Sequence, residues 1–171
     1  MSGDMPAATP PPEEIASEYL AVVWNDRAYA EIPDLVAESF VMYDPAAPAD
    51  PVPGPRGEVH GPDGLEAFIR GVVRGFPDFQ VTVCRMLADG EVVTYVGELR
   101  MSHEGSFYGI PPTGQRAEVQ YMGLIRVADG LVEEHRVYPP VPAIAEQLGF
   151  TSLEVVPRLP RLAWGLLTRW V

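Results

Sequence analysis

The main change of period among the apolar positions falls at Pro77. Before it they recur at helical spacing. From Glu13 the residues Ile15, Tyr19, Val22 and Val23 share one helical face behind an acidic first turn, and the helix ends near Asn25-Asp26. A second short helix is predicted from Pro33, with Leu35, Val36 and Phe40 inward. Val41–Asp44 reads as a short strand, and Pro45, Pro48, Pro51, Pro53 and Pro55 rule out regular structure up to Gly57. The third helix, Pro62 to Phe76, carries a stripe of Leu65, Phe68, Ile69, Val72, Val73 and Phe76.

After Pro77 the period is two. Phe79–Leu87 and Val92–Met101 are predicted strands joined by a turn at Ala88-Asp-Gly-Glu91, and Ala117–Val127 and Leu131–Tyr138 are joined at Asp129-Gly130. Between the two pairs lies His103-Glu-Gly-Ser-Phe-Tyr-Gly-Ile-Pro-Pro-Thr-Gly114. Its glycines and prolines cannot continue a strand, so it is read as a long, rigidly punctuated connection. Val141–Leu148 is a further short helix, closed by Gly149. Helices first and a meander afterwards predict an α+β fold, in which a curved antiparallel sheet wraps around helices to form a cone with an apolar pocket. The expected organisation is a flexible proline-rich arm over 1–12, the cone domain over 13–149 and a C-terminal amphipathic extension over 150–171. In that extension Leu159, Leu162, Leu166 and Trp170 repeat at helical spacing beside Arg158, Arg161 and Arg169, and it is expected to dock on the protein itself.

Composition narrows the function classes. The formal net charge is −12 and every basic residue is arginine, which disfavours nucleic acid as a partner and excludes lysine Schiff-base chemistry. No apolar run approaches the roughly 20 residues of a membrane span, and the N-terminus lacks a basic-then-apolar signal, so a cytoplasmic protein is expected. The single cysteine, Cys84, is read as a small buried strand residue. His60, His103 and His135 have no metal-ligand spacing, so no metal is expected.

Four local patterns resemble the SnoaL-like polyketide cyclase family within the nuclear-transport-factor-2-like cone fold. They are His103-x-Gly105-x-x-x-Gly109-Ile-Pro-Pro-Thr-Gly114, Phe76-Pro-Asp78 before a Val-x-Val strand, Gly61-Pro-Asp-Gly-Leu65, and Asp129-Gly130 leading to Glu134-His135 and Gln147-Leu-Gly149. The resemblance covers about Glu13 to Gly149. It implies a cone-shaped pocket for a small apolar molecule, a homodimer, no cofactor, and ring closure by intramolecular aldol chemistry with an aspartate as acid and base. The chain departs from the family on its last strand. Where the family often reads Glu-His-Trp-Asp, it has Glu134-His135-Arg136-Val137, and Pro139-Pro140 stands where an aspartate commonly follows.

Enolate chemistry needs a base in a dry pocket and a donor for the developing oxyanion. His103 and His135 are the candidate bases, since histidine titrates near neutrality. The competing reading of His103 is a loop residue bonding a backbone carbonyl. Asp44 is the candidate replacement for the absent aspartate, although an aspartate before Pro45 is more often a turn former. Tyr19, Trp24, Tyr43, Tyr95 and Tyr121 suit an aromatic pocket wall or plain core packing, and Arg136 binds an acidic or carbonyl ligand if it faces inward. Strand alternation allows only one of His135 and Arg136 to do so. Homodimerisation is expected through the exposed sheet face, with Val119, Tyr121, Ile125 and Val137 as its apolar area. The first reading is a cofactor-independent cyclase or isomerase acting on an apolar carbonyl compound. The alternatives are a non-catalytic small-ligand-binding module and a dimeric structural or interaction protein.

Overall fold

The computed structural model describes residues 10–150 apart from Pro51. Most of the proline-rich arm and the amphipathic extension, with its four apolar and three arginine positions, lie outside the described residues.

The first helix, α1 (Pro12–Tyr19), starts with proline at its first position and Glu13 and Glu14 in the first turn. It widens into a π-helical turn over Leu20–Asn25. A 3₁₀ turn (Tyr29–Glu31) and a single-turn α2 (Ile32–Leu35) then lead into β1 (Val36–Tyr43). The predicted second helix is therefore only one turn long, and Val36 and Phe40 belong to a strand. Both are buried, along with Met42, because a four-residue spacing puts side chains on one face of a strand as well as of a helix.

The proline-dense segment is irregular, as expected, but returns through a three-residue strand, β2 (Glu58–His60), directly into α3 (Gly61–Gly75). Five of the six stripe residues of α3 are buried and Val73 is partly so, packed against the same core. After Pro77 come β3 (Gln80–Asp89), β4 (Val92–Ser102), β5 (Arg116–Ala128) and β6 (Leu131–Tyr138), then α4 (Val141–Gln147). Asp129 and Gly130 both have positive φ, 51° and 81°, which matches the right-handed twist of the hairpin they close.

One six-stranded curved sheet runs in the order β2-β1-β6-β5-β4-β3. It is mixed: β3 to β6 form the expected antiparallel meander, but β1 lies parallel to β6, with Met42 opposite His135 and Tyr43 opposite Arg136. Cys84 is exposed, contrary to the sequence reading, because β3 is an edge strand whose register shifts between Val83 and Arg85. The apolar residues expected on an outer dimer face also point the other way. Val119, Tyr121 and Ile125 are buried within the subunit, and Val137 is packed against the same core. The outer face carries Met122 and Tyr138 instead, 55% and 61% exposed, among ion pairs such as Arg100–Glu98 and Arg126–Glu133.

The loop between β4 and β5 caps α3. The amides of Glu104 and Gly105 both donate to the Gly75 carbonyl (3.1 and 3.0 Å), which the end of the helix leaves without an intrahelical partner. Gly105 must be glycine for this approach, because a Cβ there would lie 1.9 Å from the Arg74 carbonyl oxygen. No helix among the described residues is long and apolar enough to cross a membrane.

Candidate functional site

Between the helices and the sheet lies a cavity of about 180 Å³. Phe68, Val72 and Phe76 of α3 form one wall, and Leu99, Met101 and Val137 of the sheet form another. Phe107 from the capping loop and Ile144, Leu148 and Phe150 from α4 and the turn after it close over it. Of the residues predicted for the site, Trp24, Asp44, Tyr121 and His135 line this cavity.

Asp44 is the one carboxylate among the described residues lining the cavity, whose other walls are largely apolar. The turn-forming reading of it is seen directly. Its Oδ1 accepts the Ala46 amide at 2.7 Å, the turn-forming bond, while Oδ2 has no hydrogen-bond partner among the described residues. Although Asp44 is only half-buried as a residue and also borders an open groove, desolvation of its carboxyl beside the apolar cavity pushes it up to about 6, against the opposing pull of the Ala46 bond. Its charge is felt by Tyr95, Tyr108 and Tyr121, which it drives further above their ordinary phenol values.

His135 is buried and hydrogen-bonded at both ring nitrogens. Tyr19 Oη lies 3.1 Å from Nδ1, and Tyr95 Oη lies 2.8 Å from Nε2. Burial lowers its pKa to about 3. It therefore does not titrate near neutrality as expected of a base, since every proton it could receive would put an unpaired charge in the core. Tyr19 and Tyr95 lie behind the cavity wall, fully buried, and serve His135 rather than a ligand.

The π-helical turn explains how this cluster forms. A π-helix stacks residues five apart, and Trp24 Nε1 donates to Tyr19 Oη, five residues earlier, at 3.0 Å. The sheet supplies the other half. Tyr95 pairs across strands with Gly123, and Tyr121 with Gly97. A Cβ at Gly123 would sit 2.3 Å from Tyr95 Cζ, and one at Gly97 would sit 3.0 Å from Tyr121 Cε1. Each phenol thus lies over a glycine of the neighbouring strand, and the two rings meet edge to face at 5.6 Å.

The remaining candidates lie elsewhere. His103 does not line the cavity. It is buried behind it, with Nδ1 accepting the Thr113 amide at 3.2 Å and its ring against Phe76 and Phe150. That is a loop role, but the ring accepts from a backbone amide instead of bonding the backbone carbonyl expected of it. Arg136 faces away from the cavity, as alternation demands once His135 faces in. Its guanidinium is bonded to Glu134 at 2.6 Å and stacks 3.9 Å over the Tyr43 ring. Tyr43 borders a shallow groove on the far side of Asp44 instead of the apolar cavity. Among the described residues no group of three or more His, Cys, Asp or Glu side chains is placed to hold a metal ion.

A sequence profile of the SnoaL-like polyketide cyclases matches residues 14–148. Among solved structures, IdmH of Streptomyces antibioticus, a candidate polyketide cyclase, is 26% identical with a TM-score of 0.68, over 81% of this chain and 98% of that one. A candidate SnoaL-like polyketide cyclase from Jannaschia sp. CCS1 is 22% identical with a TM-score of 0.70, over 85% and 97% of the two chains. AclR of Streptomyces galilaeus, a candidate hydroxylase, is 25% identical with a TM-score of 0.63, over 81% and 95%. No curated protein is detectably similar in sequence.

Proposed function

Because the chain belongs to the SnoaL-like polyketide cyclase family, we propose that its cavity takes an apolar carbonyl compound and that Asp44 is the acid–base group for a cofactor-independent ring closure or isomerisation. One observation carries this reading: a lone carboxylate with a free oxygen, held near neutral pKa, on the wall of an apolar cavity. The last strand offers Pro139 where the family commonly has its aspartate, and Pro139 lines the cavity. The parallel β1–β6 pairing supplies a substitute. Its register puts Tyr43, the last residue of β1, opposite Arg136, and the next residues of the two segments are Asp44 and Val137. Both residues line the cavity with Pro139.

The chemistry follows from that placement. The Asp44 carboxylate removes a proton from the carbon beside a carbonyl. The C–H electron pair moves into the carbon–carbon bond, and the carbonyl electrons move to oxygen. In ring closure the resulting enolate carbon attacks a second carbonyl of the same molecule, and Asp44 returns its proton to the new alkoxide. The apolar walls raise the basicity of the carboxylate and keep competing water out. For assembly, we propose a homodimer through the outer sheet face around Met122 and Tyr138, where apolar centre and flanking ion pairs resemble an interface core and rim.

The test is exchange of the α-protons of 2-tetralone, a bicyclic ketone suited to the cavity, into deuterium oxide, followed by proton NMR. Wild-type protein should accelerate the exchange and Asp44→Asn should not. Binding of the ketone with no acceleration would favour the non-catalytic binding module instead.

A further inference from the structure

The buried polar chain behind the cavity begins at a group with only one role. An indole N–H donates and never accepts, so Trp24 gives its hydrogen bond to Tyr19 Oη. The Tyr19 hydroxyl proton then has His135 Nδ1 as its acceptor, at 3.1 Å. A neutral imidazole that accepts at Nδ1 carries its proton on Nε2, which donates to Tyr95 Oη at 2.8 Å. Tyr95, which accepts from His135, is left with its own O–H to donate, and the Tyr121 phenol meets it edge to face with ring centroids 5.6 Å apart.

The opposite direction fails at its first link. Tyr19 would then receive two donors while its own proton had no acceptor, and a buried unsatisfied donor costs about 1–3 kcal/mol. With the chain running from Trp24 outward, Tyr121 stands at its cavity end, and its hydroxyl proton has no hydrogen-bond acceptor among the described residues. Of the three tyrosines, only Tyr121 lines the cavity. Its phenol is pushed up to about 12, chiefly by burial, and so stays protonated.

We propose that Tyr121 is the cavity's oxyanion donor: its O–H, aimed by the chain Trp24–Tyr19–His135–Tyr95, binds the substrate carbonyl oxygen and holds the charge that develops there when Asp44 takes the adjacent proton. The assignment rests on the carbonyl reading of the cavity. Tyr121 donates a hydrogen bond throughout and transfers no proton. Trp24, Tyr19, His135 and Tyr95 are positioning residues, which accounts for a buried histidine that cannot titrate.

Two measurements on the full-length protein test this. Nitrogen-15 NMR of the histidine rings should find His135 with Nε2 protonated and Nδ1 bare from about pH 5 to 8. A proton on Nδ1 would reverse the chain, commit the Tyr121 proton to Tyr95 and overturn the assignment. Infrared spectroscopy of carbonyl-labelled 2-tetralone should then find the C=O band at lower frequency in wild-type protein than in Tyr121→Phe, with affinity about tenfold weaker in the variant. Equal bands in the two proteins would overturn the donor role while leaving the cavity reading intact. Failure of the ketone to bind wild-type protein would sink the carbonyl reading itself, and the Tyr121 role with it.

Discussion

Asp44→Asn should stabilise the ligand-free protein above neutral pH, although it removes the residue placed at the centre of the chemistry. In the folded chain the carboxyl titrates at about 6, against an ordinary 3.8. Above pH 6 the folded protein must therefore hold a charge it disfavours. At 1.36 kcal/mol per pKa unit the gap corresponds to about 3 kcal/mol, and partial opening to the cavity brings the expectation to about 2–3 kcal/mol. Asparagine keeps an oxygen for the Ala46 amide and carries no charge. Chemical denaturation at about pH 8 should thus find the variant more stable by this amount, or by roughly 4–12 °C in Tm.

The sign reverses nothing at low pH but removes the difference. As pH falls through 6 toward 3.8 the folded wild-type protein takes up a proton before the unfolded chain does, so it gains stability and the two proteins converge. The comparison must be between variants, because His135 acts in the opposite direction. Its pKa of about 3 lies below the ordinary 6.5, so the unfolded chain binds that proton first and stability falls as pH drops below 6.5. Between about pH 4 and 6 the two slopes nearly cancel in wild type. A variant equal to or less stable than wild type at pH 8, or a difference independent of pH, would refute the placement of Asp44 in a low-dielectric cavity.

Three further outcomes are expected. Phe68→Ala, which empties a buried site in contact with Trp24, should cost about 3–5 kcal/mol in denaturant unfolding, and an unchanged midpoint would contradict the core assignment of the α3 stripe. Gly123→Ala should displace the Tyr95 phenol, cost about 1–3 kcal/mol and shift the His135 ring-nitrogen signals, whereas an unperturbed spectrum would deny the tyrosine-over-glycine packing. Met122→Glu should convert a sedimenting dimer to monomer at micromolar concentration, and a wild-type monomer would remove the proposed assembly altogether.

The parts of the fold legible in the sequence are those that local periodicity determines. The stripe from Leu65 to Phe76 can only be a helix, and the alternation in β4 to β6, with Asp-Gly turns before β4 and before β6, can only be a meander. Val36 and Phe40 could not be decided that way, because their spacing serves a helix and a strand equally. Their strand is fixed by pairing with β6, nearly a hundred residues away. The site shows the same division. Asp44, Trp24, Tyr121 and His135 were candidates by residue type, and the structure brings them to one cavity. The roles of Tyr19 and Tyr95 were hidden, since their bonds to His135 span 116 and 40 residues. The pairing of each tyrosine with a glycine across β4 and β5 was visible in principle as Tyr95-x-Gly97 and Tyr121-x-Gly123, once the hairpin register is known. Arg136 and Tyr43 could be placed only after the parallel strand fixed which side of β6 faces inward.

The pH dependence of α-proton exchange in 2-tetralone, measured with wild-type protein and Asp44→Asn, addresses the central claim most directly. A base that must be ionised to act should give a rate that rises with pH and levels off around an inflection near 6, and Asp44→Asn should lose both the acceleration and the inflection. An exchange rate with no inflection near 6, or an inflection that survives in Asp44→Asn, would contradict it.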